Sequence, residues 1–278
     1  MRGWIIASAA GLAILAGAPA TARAQDDDGG VKVRRPSMLR NLVPASRIEQ
    51  AALEQYEKLR TQATTQNALV PAEDAQAKRI QRVSQDLLPH AAKWNARARD
   101  WKWEVILVKT AAVNAFCMPG GKIAVFSGIL DKLKLTDDEL AIVIGHEMAH
   151  ALREHGRARA AKSTLTNIGT MAVALVIGGD MARLAHQGGG LLTLKFSRDD
   201  ERDADLIGME IAARAGYNPE AGISLWEKMG KLGMAHPLPW LSTHPSSETR
   251  ITRMKLVLKD VTPLYDKARA NKPATAPN

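Results

Sequence analysis

The 278-residue sequence contains a single cysteine, Cys117, so no disulfide can form within the chain. The same count excludes zinc modules built on clustered cysteines, and any metal site has to use His, Asp and Glu side chains. Aromatic residues make up only 4% of the chain, and Lys and Arg never form a run of five. We therefore expect no nucleic-acid partner, despite the formal net charge of +9.

The remaining composition is that of an ordinary globular protein, with 46% apolar and 24% charged residues. A chain of this length can bury a substantial core, and neither disorder nor a coiled coil fits it as a whole. The positive charge is compatible with peripheral contact with anionic lipid or cell-wall polymer.

The first 24 residues have the pattern of a secretory signal peptide. Arg2 precedes a short apolar run from Trp4 to Ala18, Pro19 ends the run, and the segment 22–24 fits a small-x-small cleavage site. The run is shorter than the roughly 20 residues that a membrane span needs. We therefore expect an exported protein, in the periplasm, that is soluble or peripherally associated with a membrane.

The rest of the chain divides into three parts. We expect a flexible leader at 25–45, one domain at 46–262 and a disordered tail at 263–278. Apolar periodicity predicts helices at 46–61 and after Pro71. Strands are predicted at 101–108, 111–117 and 123–126, the last two joined in a hairpin. The fold class is therefore α+β, mainly helical with a small β-sheet.

A helix start is predicted at Thr136. Glu139 follows three residues later, which is the spacing of a capping box. Asp137 and Asp138 suit the positive end of the helix dipole.

This helix carries an H-E-x-x-H motif. His146 and His150 are four residues apart, so both imidazoles project from one helix face and can reach one metal ion. Glu147 lies beside the first of them, where it can act as the general base in hydrolysis.

A catalytic zinc ion needs a third protein ligand. The metzincin pattern is excluded, because Arg153 and Gly156 stand where it requires glycine and histidine. His155 lies well round the helix and is not expected to be a ligand. Glu201 is the better candidate, and Asp205, one helical turn later, could accept the free N–H of a ligand histidine.

Four motifs together resemble zinc metallopeptidase family forty-eight, a gluzincin group. They lie at Asn114–Gly121 (N-A-F-x-x-P-G-G), His146–His150, Ser197–Asp205 (S-R-x-x-E-x-x-A-D) and Thr243–Arg250 (T-H-P-x-x-x-x-R). The resemblance implies a zincin-like domain that binds one zinc ion per chain through His146, His150 and Glu201.

The same resemblance implies roles for the other motif residues. Glu147 is then the general base, and Asp205 orients a ligand histidine. An edge strand at Asn114 and Ala115 would line the active-site cleft and hold an extended substrate as an added strand.

The chain departs from the family pattern in two respects. Asp203 stands where the family often has glutamate, at a position that is not a ligand. Many members have several membrane spans, whereas this chain shows none after its signal and resembles a soluble, exported branch.

Two residues of the last motif have open roles. His244 could stabilise the oxyanion of the reaction, or it could occupy the fourth zinc position at rest and keep the enzyme latent. Arg250 could pair with a carboxylate of the site or help to hold the transition-state oxygen.

Three further features lie near these motifs. The apolar stretch 165–177 is expected to be a core or cleft-covering helix. Glycine-rich flanks could let the segment 180–187 move as a lid, and an apolar lid could also rest on a membrane surface. Cys117 is expected to be a buried small hydrophobic residue beside the substrate strand.

Three functions of different classes follow from the sequence. The first is a zinc endopeptidase that cleaves polypeptides, in particular misfolded envelope proteins. The second is a chaperone-like zinc protein with little proteolysis, against which the intact Glu147 argues. The third is a zinc hydrolase of cell-wall amides, although the strand around Asn114 favours an extended peptide.

Overall fold

The computed structural model describes residues 29–166, 195–235, 238–244 and 248–271. Its α-helices, labelled α1 to α9, are Ala45–Thr65, Ala75–Leu87, Ser127–Leu133, Asp137–Leu152, His155–Thr166, Arg198–Arg214, Ala221–Ala235, Pro239–Thr243 and Glu248–Asn271. The strands β1 to β3 are Glu104–Val108, Ala115–Met118 and Lys122–Phe126, and 3₁₀ turns cover Met38–Leu42, Leu88–Lys93 and Ala96–Arg99. The expected mainly helical α+β fold is confirmed.

The three strands form one sheet in the order β1-β3-β2, so β2 lies at its edge. The β2–β3 hairpin is antiparallel, with Ala115 opposite Val125, whereas β1 runs parallel to β3. Phe126 N–H donates to Asn114 O at 3.0 Å. Since antiparallel residues bond alternately to either side, Ala115 and Cys117 direct their backbone N–H and C=O groups to the open edge.

Helix α4 is the central element of the fold. Both hydrogen bonds of its capping box are present: Thr136 Oγ1 accepts from Glu139 N–H at 3.2 Å, and Thr136 N–H donates to Glu139 Oε2 at 2.9 Å. Every residue from Glu139 to Leu152 is buried. The helix packs against α2, β2, α6 and α7, so side chains on all its faces lie inside the protein.

Two glycines set the distance between α4 and α6. A Cβ atom added to Gly208 would lie 2.7 Å from the backbone nitrogen of His146, and one on Gly145 would lie 2.9 Å from Gly208 O. Only glycine at both positions lets the two backbones approach so closely. This crossing brings the histidines of α4 next to the carboxylates of α6.

The domain extends beyond its expected boundaries in both directions. Val31 is buried and its N–H donates to Glu210 Oε2 at 2.7 Å, so the described part of the expected leader packs on the domain. At the other end α9 continues to Asn271, and Val261 and Leu264 are buried in the core. Burial of apolar side chains, which local composition does not reveal, explains both differences.

Several predictions fall outside the described residues. They are the signal peptide at 1–24, the lid segment 180–187, and all but the first two positions of the apolar stretch 165–177. Within the described ranges, none of the helices combines the length and the apolar character that crossing a bilayer requires.

Candidate metal centre and active site

Four buried side chains bring one potential ligand atom each to a common point. They are His146 and His150 of α4, Glu201 of α6, and His244, which directly follows α8. All four atoms lie within 4.8 Å of one another. His146 Nε2 is 3.1 Å from His150 Nε2 and 3.2 Å from His244 Nδ1. Glu201 Oε1 is 3.0 Å from His244 Nδ1 and 3.4 Å from His150 Nε2.

This donor set fits zinc. Nitrogen and oxygen ligands of a tetrahedral zinc ion lie about 2.0–2.1 Å from the metal, which places neighbouring ligand atoms about 3.3 Å apart. Four of the six separations between these atoms, at 3.0–3.4 Å, match that spacing, and the other two lie within 4.8 Å. Three imidazoles and one carboxylate are also ligand types that zinc accepts.

The protonation states of the cluster residues also favour the binding of a cation. Burial lowers the pKa of His146 to about 4, so the ring is neutral at pH 7. Its Nδ1 lies 3.1 Å from Asp205 Oδ1, to which it donates, and its Nε2 therefore presents a lone pair to the cluster. Burial would raise the pKa of Glu201, but the facing His244 and His150 hold it well below its usual range. A neutral imidazole and an ionised carboxylate are the forms that bind metal.

Asp205 and Arg250 contact the potential ligands on the side away from the common point. Arg250 Nε donates to Asp205 Oδ2 at 2.7 Å and Nη2 to Oδ1 at 2.5 Å, a bidentate pair. Arg250 Nη1 also lies 2.7 Å from Glu201 Oε2. The guanidinium covers the ring of Trp226, with 3.6 Å between its carbon and the ring centroid. One arginine therefore holds both a potential ligand and the carboxylate that orients His146.

His155 has a role that the sequence analysis missed. It is buried, and its Nδ1 lies 3.0 Å from Nδ1 of His150. Helix α4 ends at Leu152, and Glu154 takes a left-handed conformation with φ 56°, so the chain turns His155 back towards His150. On an uninterrupted helix, His155 would lie five residues after His150 and well round the helix from it. In the structure it fixes the orientation of His150.

The carboxylate of Glu147 is held by Trp240. Trp240 Nε1 donates to Glu147 Oε1 at 2.8 Å, and His244 Nε2 lies 3.5 Å from the same oxygen. Burial raises the pKa of Glu147 to about 8, although the nearby His150 and the hydrogen bond from Trp240 favour the ionised form. A metal cation at the cluster would favour ionisation further. The carboxylate thus lies beside the cluster with a pKa near neutrality, as a general base requires.

His244 lies inside the ligand cluster itself. With His244 Nδ1 at 3.2 Å from His146 Nε2, a metal ion bound here would have four protein ligands. Catalytic zinc sites keep one position open, whereas closed four-ligand sites are structural. With a metal ion bound in this conformation, His244 would take the fourth ligand position, which a catalytic site leaves to water.

The cluster opens into a narrow cleft beneath the edge strand. Its walls include Asn114–Pro119, Glu147, His150 and Phe196. Asn114 Oδ1 accepts from Ala115 N–H at 3.0 Å, so the side chain of Asn114 shapes the strand edge. The free volume is only about 50 Å³, room for a few water molecules but not for a peptide.

Cys117 lies beside this cleft as a buried thiol, as expected. Burial and the charge of Glu147 raise its pKa well above the usual range. Because the thiolate is the reactive form, Cys117 is not a nucleophile at neutral pH.

Comparison with known proteins agrees with this geometry. The model of peptidase family M48 matches residues 74–257, which include the whole cluster. Mitochondrial metalloendopeptidase OMA1 of Arabidopsis thaliana is 37% identical over 172 residues, covering 61% of this chain and 35% of the relative. Its counterpart in Saccharomyces cerevisiae is 31% identical over 216 residues, covering 73% and 62%. Metalloprotease LoiP of Escherichia coli is 28% identical over 195 residues, covering 67% and 72%.

The chain spans between 35% and 62% of the length of these mitochondrial relatives. The family match and the buried cluster together confirm the zinc cofactor expected from the sequence. Since the family model matches more than half of the residues, the chain belongs to peptidase family M48.

Proposed function

We propose that the protein is a zinc-dependent metalloendopeptidase that binds one zinc ion per chain through His146, His150 and Glu201. The observation that carries the proposal is the buried cluster of these three residues with the Glu147 carboxylate beside it. When bound, zinc lowers the pKa of a water molecule and polarises the scissile carbonyl.

Glu147 acts as the general base. It takes the proton of the attacking water and later gives it to the leaving amine. Its buried position keeps the pKa high enough for both transfers, and the Trp240 N–H bond fixes the orientation of the carboxylate. Asp205 and Arg250 position the ligands and do not touch the reacting atoms.

The substrate is an extended polypeptide. The backbone groups of Ala115 and Cys117 at the open edge of β2 can pair with a peptide as an added strand. Asn114 contributes by holding the Ala115 N–H. Such a peptide would run along the cleft between β2 and α4, past Glu147.

His244 caps the site in the resting protein. Its Nδ1 lies among the ligand atoms and the cleft has little free volume. His244 and the preceding α8 must move away before a peptide can bind.

The substrates are misfolded envelope proteins, and the protein acts after export, in the periplasm. The pattern of the first 24 residues supports export. A relative from Yersinia pestis, 28% identical over 173 residues, is named Beta-barrel assembly-enhancing protease. The oligomeric state has no bearing on this proposal.

Replacement of Glu147 by Gln tests the proposal, because it removes the base and keeps the ligands. We expect zinc content and fold to be unchanged and casein cleavage to fall by about 10²–10⁴-fold. Glu73→Gln, the same change at an exposed residue before α2, is the control and should cleave normally. A chelator should abolish cleavage by the wild type.

The alternative functions give different results in the same assay. A chaperone-like protein would bind unfolded casein without cleaving it, and Glu147→Gln would change nothing. A hydrolase of cell-wall amides would release products from muropeptides and leave casein intact. Either result would overturn the proposal.

A further inference from the structure

A wide groove lies on the surface between the N-terminal segment Lys32–Arg34, α6 and α9. It encloses about 900 Å³. Its lining carries six cationic side chains and a single carboxylate, that of Asp260; the cations are Lys32, Arg34, Arg202, Arg253, Lys255 and Lys259. Neither the zinc ligands nor the walls of the catalytic cleft contribute to it.

Much of this charge is uncompensated. Arg34 pairs with Asp199 at 2.8 Å and with Asp203 at 3.3 Å, and these bonds attach the segment to α6. Within the described ranges, by contrast, no ion pair involves the four side chains that form the outer rim, Lys32, Arg253, Lys255 and Lys259. All four are exposed. The groove thus presents a concentrated positive surface.

The lining also contains apolar side chains, Leu206 of α6, Val33, and Leu256 and Val257 of α9. Leu256 is 67% exposed, a large apolar side chain among the basic residues of the groove. An exposed leucine surrounded by lysine and arginine fits a ligand that carries both an anionic group and apolar chains.

We propose that this groove docks the protein on the surface of a bilayer containing anionic phospholipids. The phosphate groups contact the Lys and Arg rim, and Leu256 inserts among the acyl chains near the headgroups. The lining contains no aromatic side chain on which nucleobases could stack, so single-stranded nucleic acid fits it poorly. An acidic polypeptide would satisfy the cations but would leave the exposed Leu256 without a function.

The proposal does not depend on the catalytic function. Docking would hold the protein beside membrane proteins, and the zinc site would be unaffected by loss of the groove. Binding and peptidase activity can therefore be measured separately.

Cosedimentation with lipid vesicles tests the proposal. The full chain should bind vesicles of phosphatidylcholine mixed with phosphatidylglycerol and should not bind vesicles of phosphatidylcholine alone. Each basic residue near an anionic surface contributes to the affinity for the membrane. The double variant Lys255→Glu with Lys259→Glu should therefore weaken vesicle binding at least about tenfold. Raised salt should weaken it as well.

Two matched controls separate the groove from general effects. Lys58→Glu with Lys132→Glu makes the same change in net charge at exposed positions on α1 and α3 and should bind nearly as the wild type does. Leu256→Ser should weaken vesicle binding, whereas Leu53→Ser, at an exposed leucine of α1, should not. Thermal unfolding of each variant should match that of the wild type.

Three results would overturn the proposal. One is failure of the wild-type chain to bind the anionic vesicles. Another is an equal loss of binding in the Lys58/Lys132 control, which would indicate non-specific attraction. The third is full vesicle binding by Leu256→Ser together with displacement by polyglutamate, which would identify the groove as a site for acidic polypeptides.

Discussion

Trp240 donates its indole N–H to the carboxylate of Glu147 at 2.8 Å. Trp240 also stacks on Trp226, with 5.1 Å between ring centroids and 27° between planes, and Trp226 carries the guanidinium of Arg250. Arg250 in turn reaches Glu201. A continuous stack thus connects the proposed general base on one side of the metal cluster with a proposed ligand on the other.

Trp240→Phe removes the indole N–H and keeps an aromatic ring in the stack. Hydrogen bonds to charged groups contribute about 1.5–3 kcal/mol, so we expect kcat to fall about tenfold to a hundredfold. KM and zinc content should not change, because neither depends on the orientation of Glu147. Steady-state cleavage of a peptide and metal analysis of the same preparation check this.

Trp94→Phe is the control for this substitution. Trp94 Nε1 has no hydrogen-bond partner among the described residues, so its loss should leave kcat unchanged. Equal rates for Trp240→Phe and the wild type would show that the bond to Glu147 does not position the base.

Arg250→Lys keeps the positive charge and removes the planar guanidinium group. A lysine cannot bond Asp205 bidentately and reach Glu201 at once, so both carboxylates lose their support. Changes in such outer partners cost about 10–100-fold in metal affinity, and we expect the zinc dissociation constant to rise by that factor. Competition with a chromogenic chelator measures it.

Arg253→Lys, one turn along α9 and exposed, is the matched control. It should bind zinc as tightly as the wild type. An Arg250→Lys protein with wild-type zinc affinity would contradict the supporting role of Arg250.

His244→Ala should raise peptidase activity. The His244 Nδ1 atom lies where it would complete a closed four-ligand site, which has no room for water. Its removal leaves the three ligands of a catalytic site, so kcat/KM should increase while zinc binds somewhat more weakly. His90→Ala, a change at a histidine in the 3₁₀ turn Leu88–Lys93, should alter neither quantity.

A fall in activity of His244→Ala would support the other role of His244, stabilisation of the oxyanion. If His244 donates a hydrogen bond to the oxyanion, its loss should lower kcat by about 10²–10³-fold. Such a decrease would show that the position of His244 among the ligand atoms does not limit the peptidase activity of the protein.

The parts of the site that sequence analysis predicted depend on local patterns. The capping box at Thr136 and the four-residue spacing of His146 and His150 follow from helix geometry alone, and the structure has both. The pairing with Glu201 and Asp205 came from the family resemblance and from their one-turn spacing. Each of these residues lies on a long, regular helix or, in the case of Thr136, caps one.

The parts that were missed depend on contacts between distant segments or on a break in a helix. Trp240 is 93 positions from Glu147, and no local pattern indicates which tryptophan meets the base. His155 reaches His150 only because the chain reverses at Glu154. Val31 is likewise buried in the core, where its N–H donates to Glu210, 179 positions away.

Gly208→Ala tests whether the close approach of α4 and α6 builds the metal site. The added Cβ atom would meet the backbone nitrogen of His146 at 2.7 Å, and backbone cannot move aside as a flexible side chain can. Overpacking of this kind costs about 1–3 kcal/mol. We expect a lower free energy of unfolding and weaker zinc binding, because Glu201 and Asp205 shift away from the histidines.

Gly230→Ala provides the control, because a Cβ atom at this position on α7 meets no atom within 4 Å. In a helix interior, alanine is favoured over glycine by about 0.5–1 kcal/mol, so this variant should be slightly more stable than the wild type and bind zinc equally well. Denaturant unfolding with and without zinc, together with chelator competition, measures both quantities. If Gly208→Ala behaves like Gly230→Ala, the helix crossing tolerates a side chain, and the distance between α4 and α6 must be set by other contacts.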